Sequence, residues 1–132
     1  MDFTRRIELD ANYNDAIPLV KEALKNQGFG ILTEIDIRKT LKEKLDIEVE
    51  PQIILGACNP NLAHRALGID PRVATLLPCN VVVRVEKGRT VVEALNPKLI
   101  ADIPGNPALT PIADEASRLI NAALDSLIST PC

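Results

Sequence analysis

The sequence predicts a single α+β domain over residues 1–132, with helices packed largely on one face of a sheet. Segments with strand periodicity and segments with helix periodicity mix without the strict alternation of a doubly wound parallel sheet. The segment "NVVVRVEKGRTVVEAL", residues 80–95, holds two β-branched runs around a turn-forming tripeptide, which indicates an antiparallel hairpin. The length of 132 residues is that of one domain able to bury a real hydrophobic core.

The first third of the chain reads as strand, helix, strand, helix. In "RRIELD" apolar and charged residues alternate, which is typical of a half-buried strand. Apolar residues then recur at three- and four-residue steps over residues 13–27 and predict a helix, which Asn12 or Asn14 can cap and Gly28 can end. "FGILTEI" reads as a second strand, and Asp36 caps the following helix "IRKTLKEKL".

The middle and the end of the chain continue this pattern. "QIILGA" is a third predicted strand, after which Asn59 and Pro60 form a helix-start signal for "PNLAHRAL". Asp70 and Pro71 repeat that signal before "RVATLL". Residues 96–111 form a Pro- and Gly-bearing connection with one irregular helical turn, and "PIADEASRLINAALDSLI" is the strongest helix pattern in the chain.

The composition excludes several functional classes. The chain has no Trp, two Phe and one Tyr. Folds that bind single-stranded nucleic acid usually stack the bases on several aromatic side chains. A net charge of −3 and a pI near 5.2 leave no excess positive charge for a phosphate backbone. We find no apolar run typical of a signal peptide or a membrane span, and three cysteines are too few for a disulfide framework. We therefore expect a cytoplasmic protein with reduced thiols that binds neither nucleic acid nor membrane.

Cys58 is the first candidate functional residue. It ends a predicted strand immediately before a helix, where amide N–H groups and the helix dipole favour a thiolate and lower the thiol pKa. His64, the only histidine, lies on that helix and could act as a base for a Cys58 nucleophile. The alternative interpretation is that Cys58 is a small buried hydrophobic residue.

Cys79 and Asn80 form the second candidate patch, at the start of the hairpin. Cys58, His64 and Cys79 could together ligate a soft metal ion such as zinc or cuprous copper, although their spacing matches none of the usual zinc patterns. Cys58 and Cys79 could instead form a reversible disulfide if their strands are neighbours. Asn80 offers a donor and an acceptor to a ligand, or else satisfies a turn. Cys132, at the end of the chain, is expected to be exposed.

Three blocks of the chain together resemble the domain-of-unknown-function family numbered 302. They are "GFGILTEIDIRKTLKEKL", "ILGACNPNLAHRAL" and "LLPCNVVV". The resemblance implies a curved antiparallel sheet with two main helices, in a layout similar to one half of the TATA-binding protein, and a homodimer. It implies no reaction, because kinship of fold does not transfer function.

The sequence leaves three functional hypotheses open. The first is a homodimeric binding module, in which Cys58, Asn59, His64, Cys79 and Asn80 line a pocket for a soft metal ion or a small thiol-reactive molecule. The second is a thiol-based enzyme or redox protein that uses Cys58. The third is a structural or dimerisation domain whose cysteines only pack. We favour the binding module.

Overall fold

A computed structural model describes residues 2–128 of the chain as a five-stranded antiparallel sheet with helices packed against it. The predicted α+β class is therefore confirmed. The strands are β1 (Thr4–Leu9), β2 (Gly30–Asp36), β3 (Gln52–Cys58), β4 (Cys79–Glu86) and β5 (Arg89–Leu95). The α-helices are α1 (Tyr13–Asn26), α2 (Ile37–Leu45), α3 (Pro60–Ile69), α4 (Leu99–Asp102) and α5 (Thr110–Ile128). Two 3-10 helices cover Pro71–Leu76 and Pro107–Leu109.

The strand order is β1-β5-β4-β3-β2, and every neighbouring pair is antiparallel. The predicted hairpin forms between β4 and β5 through the two-residue turn Lys87-Gly88, where both φ angles are positive, at 51° and 77°. This turn geometry matches the twist of the strands it joins. In this strand order, β1 and β2 are the two edge strands of the sheet.

Helix boundaries follow the capping residues expected from the sequence. The Asn12 side chain accepts a hydrogen bond from the Asp15 amide at 3.0 Å, and Asp36 accepts one from the Lys39 amide at 2.9 Å. Gly28 has a φ of +85° just beyond the end of α1, in the left-handed region that favours glycine. None of the helices within residues 2–128 has the length and apolarity needed to cross a membrane.

Two hydrophobic cores hold the helices in place. The larger core lies between one face of the sheet and helices α1 and α5, and it includes fully buried Leu55, Val81 and Val92. The smaller core lies beyond the end of the sheet, where α3, α4 and the N-terminal half of α5 meet the start of β4. Its members are Leu62, Ala66, Val73, Cys79, Ile100, Ala101, Leu109, Ile112, Ala113 and Ala116.

The opposite face of the sheet carries paired charges over β1, β4 and β5. Arg6 Nη2 lies 3.1 Å from Glu86 Oε2, and Arg84 Nη1 lies 2.8 Å from Glu93 Oε1. The Thr4 hydroxyl also donates to Glu93. This part of the sheet carries ion pairs and therefore needs no apolar partner. Strand β2 and helix α2 instead expose apolar side chains.

Helix α2 leaves its apolar stripe largely uncovered. Ile37, Leu41 and Leu45 recur every four residues and share a face, yet α2 buries none of its nine residues, and Leu45 is 62% exposed. The stripe predicts the helix correctly because periodicity reports local structure. Periodicity does not report what covers the stripe, because that depends on tertiary or quaternary contacts.

Gly56 permits the close approach of β2, β3 and the segment before β4. A Cβ atom at this position would meet the Thr33 hydroxyl oxygen, and it would lie 2.8 Å from Pro78 Cγ. A methyl group there must displace both neighbours, which costs about 1–3 kcal/mol in a packed site. Glycine at this position therefore fixes how closely these segments pack, two residues before Cys58.

We predict that Gly56→Ala lowers the free energy of unfolding by about 1–3 kcal/mol, measured by urea denaturation. The matched control is Gly30→Ala, because a Cβ at Gly30 meets no atom within 4 Å. Equal stability of the two variants would contradict this role for Gly56.

Candidate functional site

The register of β3 and β4 brings the two predicted cysteine patches to one end of the sheet. Ala57 pairs with Cys79, so Cys58, the next residue of β3, lies beside the start of β4. Cys58, Asn59 and Cys79 all line one small cavity of about 30 Å³. Three of the five candidate residues therefore converge in the structure.

The remaining lining of this cavity is apolar and comes mainly from the smaller core, together with Phe29, Ala57, Ala63 and Leu77. No sequence motif connects these residues, so the sequence alone does not identify them as part of a site. They belong to separate elements, and only the fold brings them together. The lining residues from the smaller core are Leu62, Ala66, Ile100, Ile112 and Ala116.

Asn59 has a structural role that its helix-start signal predicts. It is the N-cap of α3, and its side-chain oxygen accepts a hydrogen bond from the Leu62 amide at 3.2 Å. The side chain of Asn59 thus occupies the helix N-terminus that was expected to favour a Cys58 thiolate. Its amide group also makes Asn59 one of the few polar residues on the cavity wall.

His64 and Asn80 do not join Cys58 and Cys79. His64 is exposed on α3, and it is not part of the cavity wall. Asn80 is exposed and lines a separate groove. Within residues 2–128, no group of three or more His, Cys, Asp and Glu side chains is arranged to hold a metal ion. Of the three predicted metal ligands, the thiols Cys58 and Cys79 line the cavity and His64 does not.

The pKa of Cys58 shifts in the opposite direction to the one expected from its place before a helix. Cys58 is half-buried, and desolvation by this burial raises its thiol pKa above the ordinary value. Burial has the same effect on Cys79, which is 5% exposed. Burial, and to a lesser extent the nearby charge of the Cys58 thiolate, raises the pKa of Cys79 to about 11. Both thiols are free and favour the protonated form at neutral pH. Cys132 lies outside the described residues.

We predict that Cys79 makes stability fall as the pH rises. The folded-state pKa of about 11 lies above that of an unfolded cysteine, so the folded chain retains a proton that the unfolded chain loses. The stabilisation is fully present below about pH 8.5. About 2 kcal/mol of it is lost between pH 9 and 11.

The measurement is urea denaturation at several pH values under reducing conditions, in a Cys132→Ser background. Cys79→Val is the control, because valine has a similar volume and does not titrate. The difference in unfolding free energy between the two proteins should decrease from pH 9 to 11. A difference that is independent of pH would contradict a buried, protonated Cys79.

Comparison with known proteins agrees with the resemblance found in the sequence. The family model described as "Domain of unknown function DUF302" matches residues 5–127. No curated protein matches the chain. The crystal structure of an uncharacterised conserved DUF302 protein from Bacillus stearothermophilus is similar to this structure, with a TM-score of 0.90 and 31% sequence identity over 96% of this chain and 99% of that one. The chain therefore belongs to the DUF302 family.

Proposed function

We propose that this chain is a small binding module that holds one soft metal ion, cuprous copper, between the sulfur atoms of Cys58 and Cys79. The observation that carries the proposal is that the two thiols lie at the ends of adjacent strands and line the same cavity. A second supporting observation is their electrostatic interaction, since the charge of Cys58 contributes to the raised pKa of Cys79.

The size of the cavity favours an ion over an organic ligand. Its volume of about 30 Å³ holds one or two water-sized groups. A cavity that binds benzene measures about 150 Å³, five times as much. A small thiol-reactive organic molecule would have to displace the walls, whereas a single metal ion would not.

The donor set favours cuprous copper over zinc. Structural zinc sites are four-coordinate, and they use cysteine, histidine and carboxylate ligands. The cavity offers two thiols, and its remaining walls are almost entirely apolar. Thiolate sulfur selects soft ions, of which cuprous copper is the common biological example. Because such thiols must stay reduced, we also propose that the protein works in the cytoplasm.

The raised thiol pKa values favour binding over catalysis. A cysteine nucleophile reacts as the thiolate, and burial disfavours the thiolate of both Cys58 and Cys79. A metal ion that binds sulfur tightly can displace the protons, so its affinity should increase with pH as fewer protons have to be released. Half-exposed Cys58 is the ligand that an incoming ion meets first, and buried Cys79 completes the site.

We predict that the Cys132→Ser protein binds one cuprous ion per chain, measured by anaerobic competition with a colorimetric copper chelator. Loss of an outer-shell partner costs a metal site about 10- to 100-fold in affinity. Loss of a ligand should cost at least as much. Cys58→Ser and Cys79→Ser should therefore each weaken copper binding by about 100-fold or more. In the Cys132→Ser protein, which retains both Cys58 and Cys79, the affinity for copper should increase from pH 6 to 8.

His64→Ala is the matched control and should bind copper as the parent protein does, because His64 lies outside the cavity. Circular dichroism of each variant separates a lost ligand from a lost fold. Stoichiometric binding that survives both serine substitutions would contradict the proposal. So would a loss in His64→Ala as large as that in Cys58→Ser.

We further propose that the protein is a homodimer whose interface is formed by β2 and α2. Four exposed apolar residues lie within this short segment: Leu32, Ile35, Leu45 and Ile47, which are 65%, 45%, 62% and 46% exposed. Strand β2 is also an edge of the sheet, so one side of its backbone has no strand partner.

The charges of this segment suit a second copy of the same chain. Lys39, Lys44, Glu43 and Glu50 form no ion pair with the described residues, so the surface carries available charges of both signs. A two-fold axis brings a patch against itself, and such a patch must therefore be self-complementary. The paired charges of β1, β4 and β5 leave the rest of the sheet less suited to that contact.

We predict that Leu45→Glu converts the dimer to a monomer, measured by sedimentation velocity, because it places a charge in the apolar centre of the interface. The control is Ile69→Glu, since Ile69 is 40% exposed on α3, outside the β2–α2 segment. A parent protein that sediments as a monomer would refute the dimer. A Leu45→Glu variant that remains dimeric would refute this interface.

A further inference from the structure

The pairing of β3 with β4 sets the distance between Cys58 and Cys79. Ala57 lies opposite Cys79, so Cys58 is one step further along the neighbouring strand. Adjacent strands are about 4.8 Å apart and a strand advances about 3.4 Å per residue, which separates the two cysteine Cα atoms by roughly 6 Å. Disulfides most often span Cα distances of about 5.5–6 Å. The backbone of this strand pair therefore places the two cysteines at the distance that a disulfide requires.

The end of β3 brings both cysteines to one cavity. Within an uninterrupted strand, Cys58 and Ala57 would face opposite sides of the sheet, because neighbouring side chains alternate. Cys58, however, is the last residue of β3, where the chain turns into the cap of α3, and it lines the same cavity as Cys79. The charge of Cys58 also acts on Cys79. The two free thiols therefore border the same space.

The two thiols differ in their access to an oxidant. Cys58 is half-buried, whereas Cys79 is 5% exposed and belongs to the smaller core. The cavity of about 30 Å³ has room for one or two water-sized groups, which is far less than a tripeptide such as glutathione occupies. A small disulfide molecule in solution therefore reacts at Cys58, and Cys79 is reached from Cys58.

We propose that Cys58 and Cys79 are a redox pair, which a low-molecular-weight disulfide oxidises to one intramolecular disulfide that closes the metal site. In the first step the Cys58 sulfur attacks the small disulfide, forms a mixed disulfide and releases one small thiol. In the second step the Cys79 sulfur attacks the Cys58 sulfur and releases the second small thiol. The two cysteine protons leave on the released thiols, so two cysteines are oxidised and one small disulfide is reduced.

The regulatory consequence rests on the proposed function. The disulfide removes both copper ligands, so the oxidised protein should bind cuprous copper at least about 100-fold more weakly than the reduced protein. Formation of the disulfide needs no metal and is tested in the metal-free Cys132→Ser protein. The two proposals can therefore fail separately.

The test treats this metal-free protein with oxidised glutathione, blocks the remaining thiols and identifies the unreduced tryptic peptides by mass spectrometry. Arg65 and Arg72 lie between the two cysteines, so trypsin places Cys58 and Cys79 on different peptides. We expect these peptides as one disulfide-linked pair, from protein that runs as a single chain on a non-reducing gel. The proposal is overturned if both thiols stay free, if glutathione remains attached to either cysteine, or if the disulfide joins two chains.

Two variants separate the two steps of the exchange. Cys79→Ser should accumulate glutathione on Cys58, because no second thiol attacks the mixed disulfide. Cys58→Ser should react with oxidised glutathione at least about tenfold more slowly than Cys79→Ser does, because Cys79 is buried. Circular dichroism of each variant separates altered reactivity from a lost fold. Equal reaction rates of the two folded variants would contradict the order of the steps.

His64→Ala is the matched control and should form the linked pair as the parent protein does, because His64 does not line the cavity. Copper competition on reduced and oxidised protein then distinguishes the two proposals. A disulfide that forms in a protein whose reduced state binds no copper refutes the metal site and supports the redox pair. Copper binding by a reduced protein that forms no linked pair refutes the redox pair. An oxidised protein that binds copper as tightly as the reduced one refutes the regulation.

Discussion

The pairing of β3 with β4 is the constraint on which the candidate site depends. It sets Ala57 opposite Cys79 and thereby carries Cys58 to the same end of the sheet. A slip of one residue would turn every side chain of β3 to the opposite face and would move Cys58 relative to Cys79. Fully buried Leu55 and Val81 lie opposite each other in this register, so the main core and the site require the same alignment.

The environment of the thiols decides what chemistry they can perform. Cys79 belongs to the smaller core, whose other members are all aliphatic, and the same burial that fills this core also raises the thiol pKa. A buried neutral thiol is a poor nucleophile and a good hydrophobic residue. It becomes a strong ligand only for an ion whose affinity for sulfur exceeds the cost of deprotonation. In the proposed metal site, burial therefore lowers the reactivity of the thiols toward other partners and leaves soft ions as the expected ligands.

Local signals predicted most of the fold and part of the site. Asn59 caps α3 as its Asn-Pro sequence indicates, and Lys87-Gly88 closes the hairpin as its composition indicates, because these choices depend on a few neighbouring residues. The convergence of Cys58 and Cys79 depends on how β3 pairs with β4. The sequence alone does not determine this pairing, so it left open whether the two cysteines meet. The pKa of Cys58 is raised, not lowered as its place before a helix suggested, because burial in the folded chain disfavours the thiolate. A single sequence does not show how deeply the residue is buried.

X-ray absorption spectroscopy at the copper edge of the cuprous-loaded Cys132→Ser protein would identify the atoms that bind the ion. We expect a first shell of two sulfur atoms, with no nitrogen or oxygen ligand, since Cys58 and Cys79 supply the two thiols of the cavity wall and the Asn59 side-chain oxygen already accepts a hydrogen bond from the Leu62 amide. A first shell that contains an imidazole nitrogen, or fewer than two sulfurs, would contradict the two-thiol site.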